Sequence, residues 1–346
     1  MAEKIKVLIV DDSALIRQML KEIFSTIDEV EVVGTAADPY IARDKIKRLN
    51  PDVLTLDVEM PRMNGLQFLG NLMRLRPMPV VMVSTLTEAG APETLEALEL
   101  GAVDFIAKPK AQDQAEFQQF AASLKEKILM AAKARVRAYS GEKKAAPQPV
   151  SKIPYHKWVC IGSSTGGTEA IREVLSGVPV NCPPIVITQH IPGVFSSSFA
   201  MRLNRALPME VVEAEEGMEV RPGRVIIARG DYHLRFRKEG TRVVCQLDDG
   251  ERVNRHKPSV EVMFDSLQQL VPANKLVSVM LTGMGRDGAE AMKRLKDGGA
   301  ASFAQDEASS VVWGMPKAAY DLGAVDELIS LPNMAASILK AAQQNG

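Results

Sequence analysis

A serine, a histidine and an aspartate in the second half of the sequence are of the types that carry out acyl transfer. Ser164 lies in segment 158–167, an apolar run ending in a turn rich in glycine and hydroxyl groups, and His190 and Asp287 each follow a later apolar run. A serine hydroxyl becomes a nucleophile when an imidazole removes its proton, and a carboxylate orients that imidazole. The order Ser, His, Asp does not exclude a triad, because triads are defined by geometry.

Other residues could take these roles. Ser163 is a rival nucleophile, and residue chemistry does not separate it from Ser164. His256 is a rival base, whereas His233 lies within a strand-like segment and His156 borders a linker. The glycines of the turn could also form a cradle of backbone N–H groups for a phosphate. Their spacing fits neither a P-loop nor a GxGxxG fingerprint, so the turn alone does not decide between the two chemistries.

A second chemically active group lies in the first half of the chain and consists of Asp11, Asp12, Asp57, Ser84 and Lys108. Three converging carboxylates repel one another unless a cation neutralises them, and oxygen ligands suit Mg²⁺. Beside such a metal, the carboxylate of Asp57 could attack phosphorus and become an aspartyl phosphate, which Ser84 and Lys108 could contact. Taken singly, Asp12 could cap a helix and Lys108 could be a solvated charge, but the combination favours a phosphorylation site.

The elements that must position this second group alternate between strand and helix. Apolar runs predict buried strands at Val7–Val10, Val30–Ala36, Val53–Leu56, Pro79–Val83 and Val103–Ala107. Helices follow them, with Ser13 predicted as one N-cap and Asp38-Pro39 as the start of another helix. Five such units predict a doubly wound parallel sheet whose site lies at the carboxyl ends of the strands.

Three short segments carry a family resemblance: VDDS at 10–13, LDVEMP at 56–61 and AKP at 107–109. They resemble the receiver domain of two-component response regulators. The resemblance implies a flavodoxin-like fold in which Asp57 accepts a phosphoryl group from a histidine kinase. It also implies Mg²⁺ bound by Asp12, Asp57 and the carbonyl oxygen of Glu59, with Asp11 acting through water.

The second half repeats the alternation of strands and helices. Parallel strands are predicted at the run before Ser164, at Ile185–Thr188, at Leu276–Leu281, near Ala300–Ala304 and at Asp326–Leu331. Residues 209–256 differ, because Arg224–Ala228, His233–Arg237 and Val243–Leu247 have strand composition and a Glu239-Gly240 turn. This pattern predicts an antiparallel insert in a second, Rossmann-like α/β domain. Ser164, His190 and Asp287 then fall at the carboxyl ends of parallel strands, where side chains distant in sequence can meet.

Four segments around these residues carry a second resemblance: IGSSTGGTE at 161–169, QHI at 189–191, HKPSV at 256–260 and LTGMGRDG at 281–288. They resemble the catalytic domain of the CheB chemotaxis methylesterase family. The resemblance implies Ser164 as nucleophile, His190 as general base and then acid, and Asp287 as the residue that orients His190. Ser163 stands where alanine is expected.

The implied reaction is hydrolysis of γ-glutamyl methyl esters on the cytoplasmic helices of chemoreceptors. Deamidation of certain receptor glutamines is the same acyl transfer with ammonia leaving, and neither reaction needs a cofactor. The tetrahedral oxyanion requires preorganised donors, for which the backbone N–H groups of Thr165 and Met284 are the candidates.

The resemblance also implies regulation of the esterase by the receiver. Ser84 and Phe105 fall where receivers have their switch hydroxyl and aromatic residue, and Lys108-Pro109 falls where they have a cis peptide bond. The unphosphorylated receiver is expected to cover the esterase site. Phosphorylation of Asp57 by the chemotaxis histidine kinase is then expected to weaken that contact.

Length and composition agree with a regulated enzyme of two domains. The 346 residues divide into a receiver at 1–133, a polar, proline-containing linker at 134–153 and a catalytic domain at 154–346. The net charge is −1 and the three cysteines show no disulfide pattern, which argues for a reducing compartment. No signal peptide or long apolar run is apparent, so the protein is expected to be cytoplasmic, without membrane insertion.

Two other classes of output domain are alternatives to the esterase. One is a nucleotide-binding or purely interacting output domain, which the glycine-rich turn favours, but an obvious ribose-binding pattern is missing from the sequence. The sequence also has no basic recognition helix and a slightly acidic charge, which argues against nucleic-acid binding.

Overall fold

The computed structural model describes residues 3–61, 63–85, 91–109, 114–136 and 154–345. The chain divides into two compact units, Met1–Glu142 and Lys143–Gly346. Most of the predicted linker, from residue 137 to 153, lies outside the described residues.

The first unit is built on a parallel sheet. Its described strands are β1 (Ile5–Val10), β2 (Val30–Ala36), β3 (Val53–Leu56), β4 (Val80–Ser84) and β5 (Asp104–Ala107). Its described helices are α1 (Ala14–Ser25), α2 (Pro39–Leu49), α3 (Gly65–Leu75), α4 (Ala91–Glu99) and α5 (Gln114–Ala131). The strand order is β2-β1-β3-β4-β5 and every pairing is parallel. This is the flavodoxin-like order, and the predicted doubly wound fold is confirmed.

Local sequence signals account for the helix starts of the first unit. The side chain of Ser13 accepts a hydrogen bond from the backbone of Ile16, and Asp38 caps α2 by accepting from Tyr40 and Ile41. These contacts satisfy N–H groups that a helix leaves unpaired in its first turn. Both predicted N-caps are therefore confirmed, and Asp11 and Asp12 lie in the short segment between β1 and the Ser13 cap of α1.

The second unit contains a larger set of elements. Its described strands are β6 (Trp158–Ser163), β7 (Ile185–Gln189), β8 (Glu210–Glu213), β9 (Arg224–Ile227), β10 (His233–Glu239), β11 (Arg242–Asp248), β12 (Leu276–Met280), β13 (Ala301–Gln305) and β14 (Glu327–Ile329). Its described helices are α6 (Gly167–Ser176), α7 (Gly193–Ala206), α8 (Val260–Gln268), α9 (Ala289–Asp297), α10 (Met315–Asp321) and α11 (Leu331–Gln343).

Seven of these strands form one parallel sheet in the order β14-β13-β12-β6-β7-β9-β8. The chain leaves β6 toward β7 on one side and later returns to place β12 on the other side. A crevice therefore opens between the carboxyl ends of β6 and β12, where α/β sheets of this kind bind ligands. The predicted Rossmann-like architecture is confirmed.

The predicted antiparallel insert was only partly right. Strands β10 and β11 form an antiparallel hairpin outside the main sheet, but Arg224–Ala228 does not belong to it. Strand β9 pairs in parallel with β7 and with β8, a strand that the sequence analysis missed. Val225, Ile226 and Ile227 are completely buried, as expected for a strand covered on both faces.

The hairpin is fastened to the main body through α8. The backbone N–H of Phe236 donates to Ser266 Oγ at 2.8 Å. Phe264 of α8 is completely buried in the hydrophobic core that also contains residues of both sheets. On the opposite side, Val260 in the first turn of α8 packs directly on Gly162 of β6. Helix α8 thus connects the hairpin to the strand that precedes Ser164.

Three further expectations have clear outcomes. Cys160, Cys182 and Cys245 are free and buried, as the cysteine pattern predicted. The cis peptide bond expected at Lys108-Pro109 is not found there; in the described part of the chain the cis bond is Lys257–Pro258. None of the described helices has the length and apolar character needed to cross a lipid bilayer.

Replacing Gly162 by alanine should destabilise the second unit by about 1–3 kcal/mol, the usual cost of overpacking a core. A Cβ atom at this position would overlap Cγ1 of Val260 and lie 2.9 Å from its Cγ2. Val260 is completely buried and cannot move aside. Urea unfolding of the full chain, followed by circular dichroism, measures the change.

The control for this experiment is Gly70→Ala in α3, where the nearest atom to the added Cβ is Leu100 Cδ2 at 3.7 Å. This ordinary contact should leave stability unchanged or raise it slightly, because alanine favours helix. An unfolding midpoint of the second unit that is identical for wild type and Gly162→Ala would contradict the packing argument.

Candidate functional site

Ser164 lies in the turn between β6 and α6, and hydrogen bonds of its backbone N–H and carbonyl groups hold it there. Its N–H donates to the carbonyl of Thr282 at 3.0 Å, which continues the pairing of β6 with β12. Its carbonyl accepts from the N–H of Gly167 at 2.7 Å and from Nε2 of Gln189 at 2.9 Å. The residue is half-buried. The turn therefore fixes the backbone of Ser164 at the carboxyl edge of the sheet.

Ser163, the rival nucleophile, points into the unit. It is completely buried, and its hydroxyl donates to Oε1 of Gln189 at 2.7 Å. The same glutamine donates from Nε2 to the carbonyl of Ser164. The hydroxyl of Ser163 thus orients the amide that holds the neighbouring residue, and the geometry favours Ser164 as the reactive serine.

His190 and Asp287 are brought together although 97 positions separate them. Nε2 of His190 lies 2.8 Å from Oδ2 of Asp287, and their side chains are 7% and 1% exposed. The backbone N–H of His190 donates to the carbonyl of Ser163 at 3.1 Å, which places the histidine beside the serine turn. Nδ1 of His190 is buried and has no hydrogen-bond partner among the described residues. This nitrogen is the one available to a neighbouring hydroxyl.

The carboxylate of Asp287 accepts four hydrogen bonds. Oδ2 accepts from His190 and from the backbone N–H of Val260 at 2.7 Å, and Oδ1 accepts from Asn254 Nδ2 at 2.8 Å and Ser259 Oγ at 2.7 Å. Burial by itself raises the pKa of Asp287, but the hydrogen bonds and the charge of His190 outweigh it and lower the pKa to about 2. Asp287 is therefore ionised across the physiological range.

His256, the rival base, stacks on His190. The two ring centroids are 3.7 Å apart and the ring planes differ by 8°. His256 and Asn254 belong to the same short turn, so this turn touches both members of the His190–Asp287 pair. Asn254 and Ser259 were not predicted as site residues, because hydrogen bonds between residues about 30 positions apart leave no local sequence signal.

His233 and His156 are not part of the site. His233 is 1% exposed, and its Nδ1 accepts from the N–H of Ser259 at 3.2 Å while Nε2 donates to the carbonyl of Glu251 at 2.8 Å. Both ring nitrogens are thus engaged in holding the segment that supports Asp287. His156 is exposed and precedes β6, at the opposite end of that strand from Ser164.

Thr165 and Met284, the candidate oxyanion donors, lie on the two sides of Ser164. Thr165 follows it directly, and its carbonyl accepts from Thr282 Oγ1 at 3.0 Å. Met284 follows Gly283, which packs so closely on Ser164 that a Cβ atom at Gly283 would lie 2.8 Å from the serine Cβ. Thr165 and the Gly283–Met284 segment therefore both lie beside Ser164.

The predicted acidic group also comes together, in the first unit. Carboxylate oxygens of Asp11, Asp12 and Asp57 lie within 4.8 Å of one another. Lys108 Nζ lies 2.8 Å from Asp11 Oδ2 and 2.7 Å from Asp57 Oδ2. Burial raises the pKa of Asp57 to about 6, against the lowering effect of Lys108. A converging set of carboxylate oxygens is the donor set that Mg²⁺ prefers, so these residues fit that ion.

The other predicted residues of the first unit are Ser84, Phe105 and Glu59. The carbonyl of Ser84 accepts from the N–H of Lys108 at 2.9 Å, which ties the ends of β4 and β5 together. Phe105 is half-buried, and Lys127 Nζ lies 5.9 Å from its ring centre. Glu59 is exposed, two residues after Asp57.

Comparison with known proteins gives a consistent result for both units. The family model for CheB methylesterase matches residues 159–338, and the model for the response regulator receiver domain matches residues 7–117. The chain is 54% identical to protein-glutamate methylesterase/protein-glutamine glutaminase 2 of Saccharophagus degradans, over 98% of this chain and 99% of that protein. It is 52% identical to protein-glutamate methylesterase/protein-glutamine glutaminase 1 of Hahella chejuensis, over 98% and 97%.

A solved structure agrees with the second unit. The catalytic domain of Thermotoga maritima CheB methylesterase is 36% identical, with a TM-score of 0.52, and the match covers 53% of this chain and 97% of that one. Taken with the site geometry and the matches over nearly the full length, this result means that the chain belongs to the CheB methylesterase family and carries a response regulator receiver domain ahead of its methylesterase domain.

Proposed function

We propose that this protein hydrolyses γ-glutamyl methyl esters on the cytoplasmic helices of chemoreceptors and deamidates certain receptor glutamines, under the control of receiver phosphorylation. The observation that carries the proposal is the buried 2.8 Å bond between His190 and Asp287 beside the Ser164 turn. The printed names of the relatives, protein-glutamate methylesterase/protein-glutamine glutaminase, support the same reaction class.

The first half-reaction is proposed to use the side chains of Ser164, His190 and Asp287. Nδ1 of His190 takes the proton of the Ser164 hydroxyl, and the oxygen attacks the ester carbonyl carbon. The positive charge that develops on His190 is stabilised by Asp287, whose pKa of about 2 keeps it ionised. Asp287 also fixes the tautomer of the imidazole, because Nε2 must carry the proton that it shares with the carboxylate.

The remaining steps complete acylation with loss of methanol and then restore the enzyme by hydrolysis. The backbone N–H groups of Thr165 and Met284 are the proposed donors to the tetrahedral oxyanion. As the intermediate collapses, the C–O bond breaks and His190 gives its proton to the departing methanol. Water then gives its proton to His190 and attacks the carbonyl carbon of the acyl-enzyme, the bond from that carbon to Ser164 Oγ breaks, and His190 returns the proton to Oγ, which frees Ser164 and the glutamate side chain. With a glutamine substrate the same sequence releases ammonia.

The receiver unit is proposed to accept a phosphoryl group on Asp57 from the chemotaxis histidine kinase. Asp12, Asp57 and the Glu59 carbonyl are the proposed ligands of Mg²⁺, with Asp11 acting through water, and the ion when bound neutralises charge around the phosphoryl group. Lys108 contacts Asp11 and Asp57 and is proposed to pair with the new phosphate. Ser84 and Phe105 are the proposed switch residues.

Replacing each of the two serines by alanine in a separate variant tests which one is the nucleophile. Methanol release from methylated receptor membranes should fall at least about 10³-fold in Ser164→Ala, because the nucleophile is lost. Ser163→Ala should stay within about tenfold of wild type, since it loses only a buried hydrogen bond of roughly 1 kcal/mol to Gln189. Activity that survives in Ser164→Ala but disappears in Ser163→Ala would assign the nucleophile to the other serine.

The low pKa of Asp287 predicts how stability depends on pH. A carboxyl whose pKa is lowered from 3.8 to about 2 by folding stabilises the fold above its ordinary pKa, and this contribution is lost as the pH falls through about 2. Asp287→Asn should therefore be less stable than wild type above about pH 5, with a gap that narrows between about pH 4 and 2.

Urea unfolding at a series of pH values measures this gap. Asp321→Asn is the control, because Asp321 lies on the surface at 55% exposure in an i,i+4 pair with Lys317, where an ion pair contributes little. A gap between wild type and Asp287→Asn that is independent of pH would show that the pKa of Asp287 is not lowered by folding.

Autoinhibition by the receiver is tested by comparing the whole chain with its second unit. We expect a fragment from about residue 150 onward to release methanol faster than the unphosphorylated full chain, because its site is uncovered. Phosphorylation with an acyl phosphate should raise the activity of the full chain but leave that of Asp57→Asn unchanged. Equal activity of the fragment and the unphosphorylated chain would remove the steric explanation.

A further inference from the structure

The turn Val253–His256 has an unusual backbone for residues that are not glycine. Val253 and His256 exchange both backbone hydrogen bonds, at 3.1 and 2.9 Å, around two central residues. These residues, Asn254 and Arg255, have φ angles of 51° and 71°. Two successive left-handed residues define the tight type I′ turn, in which asparagine is favoured and arginine is not. Such a conformation persists only where the surrounding structure determines it.

The side chains of this turn account for that constraint. Asn254 Nδ2 donates to Oδ1 of Asp287 at 2.8 Å. The ring of His256 lies flat on the ring of His190, with centroids 3.7 Å apart. One turn therefore contacts the carboxylate and the imidazole of the pair at the same time.

The turn is itself anchored on both sides. His233 holds the chain before it, through the 2.8 Å bond from Nε2 to the carbonyl of Glu251. Lys257 follows the turn directly, and its Nζ lies 2.7 Å from Oδ1 of Asp249. Ser259 then returns the chain to Asp287 through its hydroxyl. The position of the turn is thus fixed independently of His190, so it can act as a support for that residue.

We propose that the Val253–His256 turn is a positioning element for the His190–Asp287 pair, with Asn254 and His256 as its two positioning residues. Asn254 shares Oδ1 of Asp287 with Ser259, which leaves Oδ2 to His190 and the backbone N–H of Val260. His256 blocks rotation of the His190 ring about its Cβ–Cγ bond. That rotation would break the bond to Asp287 and turn Nδ1 away from Ser164. This inference rests on the proposed function of the pair in ester hydrolysis.

Three variants of the full chain test the proposal through kcat and KM for methanol release. His256→Ala removes the stacked ring and should lower kcat about 10- to 100-fold with KM changed less than about twofold, because His190 loses orientation and the substrate contacts remain. His256→Phe keeps a flat ring and should recover kcat to within about fivefold of wild type. Asn254→Gly keeps the left-handed backbone but removes the donor, and should lower kcat about tenfold.

A spectroscopic measurement reports on His190 without turnover. In ¹⁵N NMR spectra of wild type, Nε2 of His190 should be protonated and Nδ1 should not, because Nε2 donates to Asp287. His256→Ala and Asn254→Gly should show a mixture of both tautomers, whereas His256→Phe should resemble wild type. His156→Ala is the matched control, since His156 is exposed at the other end of β6, and it should change neither the kinetics nor the His190 signals.

The outcomes separate this inference from the proposed function. Wild type that releases no methanol from methylated receptors would overturn the function itself. Active wild type with unchanged kcat and unchanged His190 signals in both His256→Ala and Asn254→Gly would overturn the positioning role alone. A kcat for His256→Phe as low as that for His256→Ala would overturn the ring-stacking account. If His256→Ala does not fold, unchanged kcat and unchanged His190 signals in Asn254→Gly overturn the positioning role, and a kcat for His256→Phe more than tenfold below wild type overturns the ring-stacking account.

Discussion

The esterase unit depends on one buried carboxylate and the four donors that surround it. A charged group at 1% exposure is costly unless it is fully hydrogen-bonded, and Asp287 receives its donors from four other residues of the chain: His190, Asn254, Ser259 and Val260. Two of these residues open α8, whose first turn also offers the positive end of a helix dipole to the carboxylate. The same packing that fixes α8 on Gly162 therefore fixes the electrostatics of the site.

In the acidic group of the receiver, the net change in the pKa of a buried carboxyl group has the opposite direction. Asp57 is also buried, but its donors are the backbone N–H of Val58 and one lysine, which it shares with Asp11, and its pKa rises to about 6 where that of Asp287 falls to about 2. The difference lies in how many donors converge on each carboxylate and in the neighbouring negative charge. A phosphoryl acceptor must remain accessible to a partner and a cation, whereas a carboxylate that only orients a histidine can be enclosed.

Strand order explains which nitrogen of His190 meets Asp287. Serine follows β6 and histidine follows the adjacent strand β7, whereas Asp287 follows β12 on the far side of β6. Neighbouring strands are about 4.8 Å apart, so the imidazole must reach across β6 to the carboxylate. Nε2, the nitrogen farther from the main chain, makes that contact. Nδ1, the nitrogen nearer to the main chain, has no hydrogen-bond partner among the described residues. The backbone N–H of the same histidine donates to the carbonyl of Ser163 in the serine turn.

Strand ends and helix caps were predictable from the sequence, whereas the side-chain contacts that hold His190 and Asp287 in place were not. Apolar runs ending at Asp57, Ser164 and His190 gave the correct edge of each sheet, because parallel strands gather their ends. Strand β9 was misassigned because a short apolar run has the same composition in a hairpin as in a buried sheet. The roles of Asn254 and of the His256 ring depend on contacts between distant segments, which composition and periodicity do not encode.

The three cysteines have a practical consequence for experiments on this chain. Each thiol is buried, and burial raises the pKa of Cys182 to about 11, that of Cys245 to about 12 and that of Cys160 further still. Since the thiolate is the reactive form, maleimide reagents at neutral pH will leave all three unmodified. A fluorophore pair can therefore be attached through one new surface cysteine in each unit, without first removing native residues, to measure the distance between the two units with and without an acyl phosphate.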